Sequence, residues 1–319
     1  MTAPVLAALQ QWILFTGVAV VVGCVAWRLV VARQAAGAVP DARAAQLVVV
    51  ERRVASVGIV TTLVLVLGWA LKMVVQVMDF HFPGDALWPD VSFLLFETFW
   101  GTVWMAQGVL IPLAAAALWL ARGRRTAADA SAAAEADPRE ISAAWWAVAV
   151  LALGLVATLS LAGHAMGVET WRPLLVTADG VHTLAAGTWI GTLGLILWVG
   201  RPDPSSRAGL ELYAAQIRSF SPMAVVSVAA LLSMGIVLAW THLTAVSDLW
   251  TEAYGRVLSA KIAVAGAVFA AGFVNWRKGI PALGTEAGAR AIQRRAAWEV
   301  SLAVGVLLLT AVLVHSPKP

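Results

Sequence analysis

The chain has 319 residues, of which 61% are hydrophobic and 13% are charged. With a mean hydropathy of +0.82 it has too little polar surface to cover a globule in water, so the composition excludes a soluble protein and indicates an integral membrane protein. The net charge of +4 comes from basic residues in alternate loops, which fits a surface near anionic lipid and argues against nucleic acid as a partner.

Eight apolar segments are long enough to cross a bilayer, whose core of about 30 Å needs roughly 20 apolar residues of helix. They cover residues 11–31, 54–77, 98–120, 143–162, 173–199, 221–240, 257–275 and 296–314. The predicted fold is an all-α integral membrane protein with eight transmembrane helices. The leader MTAPVLAALQ carries no positive charge, so the first segment is expected to be a retained helix and not a cleaved signal.

The positions of the basic residues predict the orientation of these helices. Of the 22 Lys and Arg residues, 17 fall in four alternate loops, which are therefore expected to face the cytoplasm, with both termini outside. We expect Lys72 and Lys261 to snorkel to the membrane edge. The tryptophans near the inner ends are expected to anchor the interface; they are Trp27, Trp119, Trp198 and Trp276.

The two halves of the chain resemble each other, which predicts two parallel four-helix repeats. GWALKMVVQVMD at 68–79 parallels GIVLAWTHLTAVSD at 235–248, and Gly23 aligns with Gly194. The expected division is a first repeat that begins with residues 1–125, a cytoplasmic linker at 126–142, a closing helix and outer loop at 143–172, and a second repeat at 173–319.

All five histidines fall on the predicted outer side, and His182 is the most informative of them. It lies roughly 10 Å below the start of the fifth segment, and Asp179, three residues earlier, shares its helix face. Such a pair is costly in lipid and normally faces a cavity or a partner. We interpret His182 as a metal or cofactor ligand, with Asp179 orienting it or adding a ligand. The alternative is a buried histidine bonded to a neighbouring helix.

The other histidines have weaker patterns. His164 and Met166 occur together in GHAM, an imidazole and a thioether that suit copper, although His164 could simply cap a helix. His315 is the repeat partner of His164. His81 lies in the longest outer loop, which could be an interfacial lid, and His242 could be an interfacial anchor. The sequence has no phosphate-binding glycine loop, zinc-protease helix motif or nucleophile elbow, which favours a transporter over an enzyme.

Several segments in succession resemble the CopD family of bacterial copper-resistance and copper-uptake membrane proteins. They are GHAMG (163–167), VHTLAAGTWIGTLGLILW (181–198), SFSPMAVVSVAALLSMGIVLAW (219–240), TEAYGRVLSAKIAVAGAVFAAGFVNWR (251–277) and the final VHSPKP. The resemblance implies an eight-helix inner-membrane protein that takes copper from a periplasmic carrier of the CopC type, with ligands at His164, His182 and His315. No Met-rich or His-rich outer tail is found, which predicts a separate carrier.

The leading hypothesis is a copper importer whose outer site is formed by His164, His182, Met166, Asp179 and His315. The alternative is a b-type haem protein that transfers electrons, for example to Cu(II), with axial ligands drawn from His164, His182, His242 and His315. A third hypothesis is a structural subunit of a larger complex. The inner halves of the helices show no second set of ligands, which is a difficulty for transport.

Overall fold

A computed structural model describes residues 3–81, 86–123, 139–163, 171–200, 207–241, 243–279 and 286–316. Every regular element in this part of the chain is helical. We number the helices α1 (Ala3–Ala38), α2 (Asp41–Phe80), α3 (Leu87–Phe96), α4 (Phe99–Gly123), α5 (Ala143–Leu161), α6 (Arg172–Trp198), α7 (Arg207–Trp240), α8 (Ala253–Gly279) and α9 (Glu286–Val314).

Eight of these helices are long and apolar enough to cross a membrane, which confirms the predicted fold class. The exception is the short helix α3. The helices extend further than the apolar segments do, most clearly α2 and α7 at their predicted inner ends. Hydropathy measures only the part that suits lipid, whereas the hydrogen bonds of a helix continue beyond it. The orientation of the termini stays a prediction.

Helix α1 lies at the centre of the bundle and packs against α2, α5, α6 and α9. It meets α6 through glycines: a Cβ atom added to Gly23 would lie 2.4 Å from the carbonyl carbon of Gly191. The Thr192 hydroxyl also donates to the Gly23 carbonyl oxygen at 3.3 Å. Small residues let two helix backbones approach in this way, and the two helices therefore form one tightly packed pair.

The two halves differ in how their next helices pack. In the first half, α2 and α4 are joined by two indoles, each of which donates to the other's backbone carbonyl: Trp69 to Trp104 at 2.9 Å and Trp104 to Trp69 at 3.0 Å. In the second half, α7 and α8 make hardly any contact with each other. The internal repeat stays a prediction, and the two halves of the chain differ at this pair of helices.

Buried polar contacts hold the predicted inner end together. Arg28 on α1 lies 3.0 Å from the Glu51 carboxylate on α2, and the Trp145 indole on α5 donates to the same carboxylate at 2.7 Å. Trp27 is fully buried and donates to Gln216 at 3.0 Å. The prediction that Trp27 anchors the interface is therefore wrong, because its indole finds a polar partner on α7 inside the bundle.

The connection between α7 and α8 is organised by Asp248. Its carboxylate accepts hydrogen bonds from the backbone N–H groups of Ala245 at 2.8 Å and Thr244 at 2.9 Å, and from the Thr244 hydroxyl at 2.8 Å. The Ala245 bond and then the Thr244 hydroxyl bond favour the ionised form and hold the pKa of Asp248 below its ordinary value of 3.8.

We expect Asp248→Asn to increase amide hydrogen exchange in residues 243–252 at neutral pH. Because the native pKa is lowered, the stabilisation is complete above the ordinary pKa of an aspartate and is lost as the pH falls through the lowered pKa. Hydrogen exchange should be measured in wild type and in Asp248→Asn over a pH series and corrected for the intrinsic exchange rate at each pH. The difference between the two proteins should then disappear in acid. A difference that stays constant in acid would contradict this role.

Candidate functional site

His182 on α6 is held by a backbone carbonyl of α7. Its Nδ1 atom lies 3.1 Å from the Leu231 carbonyl oxygen. Because a carbonyl oxygen only accepts, Nδ1 must carry the proton, and in the neutral imidazole the lone pair is then on Nε2. No hydrogen-bond partner of Nε2 is found in the described part of the chain. This contact with a carbonyl of a neighbouring helix is the one expected from the alternative interpretation of His182 as a buried histidine. It leaves Nε2 open to a further ligand, as in metal-ligating histidines, and the ligand role of His182 stays a prediction.

A glycine on α7 makes room for this ring. A Cβ atom added to Gly235 would lie 3.4 Å from Cε1 of His182, tighter than an ordinary contact. Leu231 and Gly235 are four residues apart, so one helix face supplies both the carbonyl acceptor and the space. The position of the imidazole is therefore set by α7, and a larger residue at 235 would displace it.

Asp179 lies on the same face of α6, as its spacing from His182 predicted. The Ser160 hydroxyl of α5 lies close to the Asp179 carboxylate, but no partner with normal hydrogen-bond geometry is found for it among the described residues. Ser160 is 1% exposed. Beside the histidine, the site thus contains a carboxylate and a buried hydroxyl, both of which carry oxygen atoms that can act as ligands.

Lys261 on α8 completes the charge pattern of the site. Its charge lies within electrostatic range of Asp179 and His182. Lys261 lies about 12 Å along α8 and His182 about 15 Å along α6, measured from the helix starts at Ala253 and Arg172. The expectation that Lys261 snorkels to the interface stays a prediction.

Two aromatic rings lie further into the bundle on the same two helices. Trp189, seven residues after His182, stacks on Phe269, eight residues after Lys261, with centroids 5.4 Å apart and an interplanar angle of 21°. Trp189 is only 6% exposed. The stacked pair thus lies about two turns further along α6 and α8 than His182 and Lys261 do.

The remaining candidate ligands are not gathered at this site in the described structure. His164, Met166 and His242 lie outside the described residues. His315 is exposed, and its Nδ1 donates to the Ala311 carbonyl oxygen of its own helix at 2.9 Å. Among the described residues no group of three or more His, Cys, Asp or Glu side chains could hold a metal. The five-residue ligand set stays a prediction.

His81 belongs to a separate contact at the predicted outer end. Its Nδ1 lies 2.6 Å from the Asp90 carboxylate, which ties the end of α2 to α3, and about a quarter of each side chain is exposed. The rings of Phe80 and Phe93 stack beside this contact, with centroids 5.7 Å apart. His81 therefore fixes the short helix α3 to the end of α2 and lies outside the His182 site.

Comparisons with known proteins agree with this architecture. Residues 214–313 match the family model "Copper resistance protein D", CopD. This part of the chain is therefore similar to the CopD family. The matched region includes Leu231, Gly235 and Lys261, whereas Asp179 and His182 precede it.

A curated protein to which the chain is similar is "Copper transport protein CutJ" of Bacillus subtilis (strain 168). The two are 24% identical over 241 residues, which is 74% of this chain and 40% of the relative, so the chain spans less than half of that protein's length. No solved structure matches the chain.

Proposed function

We propose that this protein binds copper in the outer half of the bundle and carries it inward across the bacterial inner membrane. The observation that carries the proposal is His182, whose Nδ1–H bonds the Leu231 carbonyl and whose Nε2 lone pair is thereby available to an ion. The CopD match and the printed name of the relative, a copper transport protein, support copper as the ion.

The proposed ligand set combines imidazole, carboxylate and thioether groups. His182 provides Nε2 and Asp179 lies one turn before it, while His164, Met166 and His315 are the further ligands that we propose on sequence grounds. Imidazole binds copper in either oxidation state, and a thioether favours Cu(I). The ion would be held between α6, α7 and α8, above the stacked aromatic pair, so inward movement requires those rings to separate.

Copper analysis of the purified full chain tests the proposal. After incubation with copper and removal of excess ion, the wild-type protein should retain copper stoichiometrically, and His182→Ala should lose most of it. His81→Ala is the matched control, because it removes an outer histidine whose ring already bonds Asp90, and it should retain the metal. Retention of copper by His182→Ala would contradict the proposal, and a red protein with a Soret band would contradict it in favour of the haem alternative.

The direction of transport and the partner are parts of the same proposal. We propose uptake from a periplasmic CopC-type carrier, with the termini outside and the basic loops in the cytoplasm. Proteoliposomes with a trapped copper chelator, and with the protein's orientation determined by protease accessibility, measure this directly. Copper should accumulate from the side of the His182 site, and accumulation only from the opposite side would contradict import.

A further inference from the structure

We propose that Glu299 and Asn275 form a second, weaker copper site near the predicted inner end of the bundle, where the ion stops before it is released. This inference rests on the proposed function and adds a place on the inner side of the His182 site. It is carried by a buried contact between α8 and α9, in which the Asn275 Nδ2 donates to Glu299 Oε2 at 3.0 Å.

Glu299 is a carboxylate inside the bundle without a charged partner. Its side chain is 4% exposed, and no ion pair to it is found in the described part of the chain. Arg277 and Lys278, which follow Asn275 on α8, are exposed. A buried carboxylate is normally paired with a positive charge, and one inside a membrane protein typically marks an ion pathway. A cation would supply the missing charge.

Two oxygen atoms at this contact are available to a cation. Among the described residues, no donor to Glu299 Oε1 is found, and the Oδ1 atom of Asn275 is buried without a hydrogen-bond partner. A Cβ atom added to Gly272 would lie 3.1 Å from Glu299 Oε1, so the glycine keeps space beside that oxygen. The Asn275 amide can donate to the bare carboxylate and, after a half-turn of the amide, present its oxygen to a bound cation.

The contact lies further inward than the stacked aromatic pair. Asn275 comes six residues after Phe269, which is about 9 Å along α8, and it begins the π-helical segment Asn275–Gly279 that ends the helix. Such segments are frequent at functional sites. The position of the contact therefore supplies what the sequence lacked, a pair of possible ligands in the inner half of the bundle.

The chemistry of the two oxygens favours release. Of the divalent ions of the first transition row, Cu(II) binds a given site most strongly, but oxygen ligands suit copper less well than imidazole does. An ion that leaves His182 for Glu299 and Asn275 would thus be held more loosely, close to the predicted cytoplasmic side.

The first test is copper flux into proteoliposomes that contain the full chain and a trapped chelator. Glu299→Gln removes the charge but keeps an oxygen that can accept from Asn275, so the contact between α8 and α9 is retained. We expect its flux to fall at least about tenfold, with copper retention at the His182 site within about threefold of wild type. Wild-type flux through Glu299→Gln would overturn the inference.

Glu211→Gln is the matched control. It makes the same chemical change at the predicted inner end, but on a carboxylate that bonds Arg207 of its own helix at 3.2 Å on the surface. Its flux should equal that of wild type. An equal loss in both variants would overturn the inference, because any carboxylate at this end would then have the same effect.

The second test measures the weak site directly, by equilibrium dialysis against Cu(II) in a His182→Ala background. His182→Ala should still bind one ion weakly, and His182→Ala/Glu299→Gln should lose it. Equal binding by the two proteins would show that Glu299 is not a ligand, even if it affects flux. Should Glu299→Gln not fold, His182→Ala/Asn275→Ala keeps the carboxylate and should bind at least about threefold more weakly than His182→Ala; unchanged binding would overturn the inference.

The failure of this inference can be told from the failure of the proposed function. If His182→Ala loses tightly held copper while Glu299→Gln transports as wild type does, the His182 site stands and the inner site fails. If His182→Ala retains copper and transports it as wild type does, the proposed function fails, and the inner site as a stop after His182 fails with it.

Discussion

Replacing Gly191 by alanine is expected to prevent stable assembly of the bundle. The added Cβ would lie 2.0 Å from the backbone carbonyl oxygen of Ala19, a distance that no rotamer change can relieve. The central pair α1 and α6 would have to separate, and the contacts around Gly23 would be lost with it. We expect a loss of about 3 kcal/mol or more in unfolding free energy, measured as a lower melting temperature in detergent and a reduced monodisperse yield.

A glycine-to-alanine change at Gly266 on α8 is the control for the effect of such a change on helix propensity and for differences in protein preparation. A Cβ added there meets no heavy atom within 4 Å, so Gly266→Ala should be neutral or slightly stabilising. If Gly191→Ala melts within about 2 °C of wild type, the close crossing of α1 and α6 is not a feature of the folded protein.

The second large effect is expected at Arg28. Arg28→Met would remove the positive charge that faces the Glu51 carboxylate at 3.0 Å in a region where both side chains are at most 10% exposed. Removing one member of a buried ion pair typically costs about 3–5 kcal/mol, because the remaining charge stays in an apolar environment. The decrease should be measurable as a lower midpoint of unfolding on titration with a denaturing detergent.

A double variant tests whether charge is the cause. Arg28→Met/Glu51→Gln leaves no net charge and keeps a side-chain carbonyl to accept the hydrogen bond from Trp145. It should recover much of the stability lost in Arg28→Met, since well-packed neutral groups often replace a buried pair at little cost. A double variant that is as unstable as the single one would show that packing of the arginine stem, and not charge, stabilises this end of the bundle.

The transmembrane helices could be predicted from sequence because lipid imposes a length and a composition on each of them. The inner ends of the helices could not be predicted, because apolar runs mark only the lipid-facing part. Helix α7, for example, begins at Arg207, well before the predicted 221. The burial of individual tryptophans could not be predicted either. Trp27 looks like the exposed Trp119, Trp198 and Trp276 in sequence, but only Trp27 meets a buried glutamine on another helix.

The candidate site shows the same division between local and tertiary information. Asp179 and His182 could be found together because three residues on one helix share a face, which is a local property. The acceptor at Leu231 and the charge at Lys261 come from two other helices, and no spacing in the sequence relates them to His182. Sequence reasoning could therefore place Asp179 and His182 on one helix face, while their role as ligands stays a prediction.

The most direct measurement of the central claim is anomalous diffraction at the copper absorption edge from crystals of the copper-loaded protein. We predict a single strong peak between α6, α7 and α8, within metal–ligand distance of His182 Nε2, with Nδ1 still bonded to the Leu231 carbonyl. The same crystals of His182→Ala should lack the peak. A copper peak elsewhere in the wild-type bundle, or His182 directing both ring nitrogens to ordinary hydrogen bonds, would contradict the account.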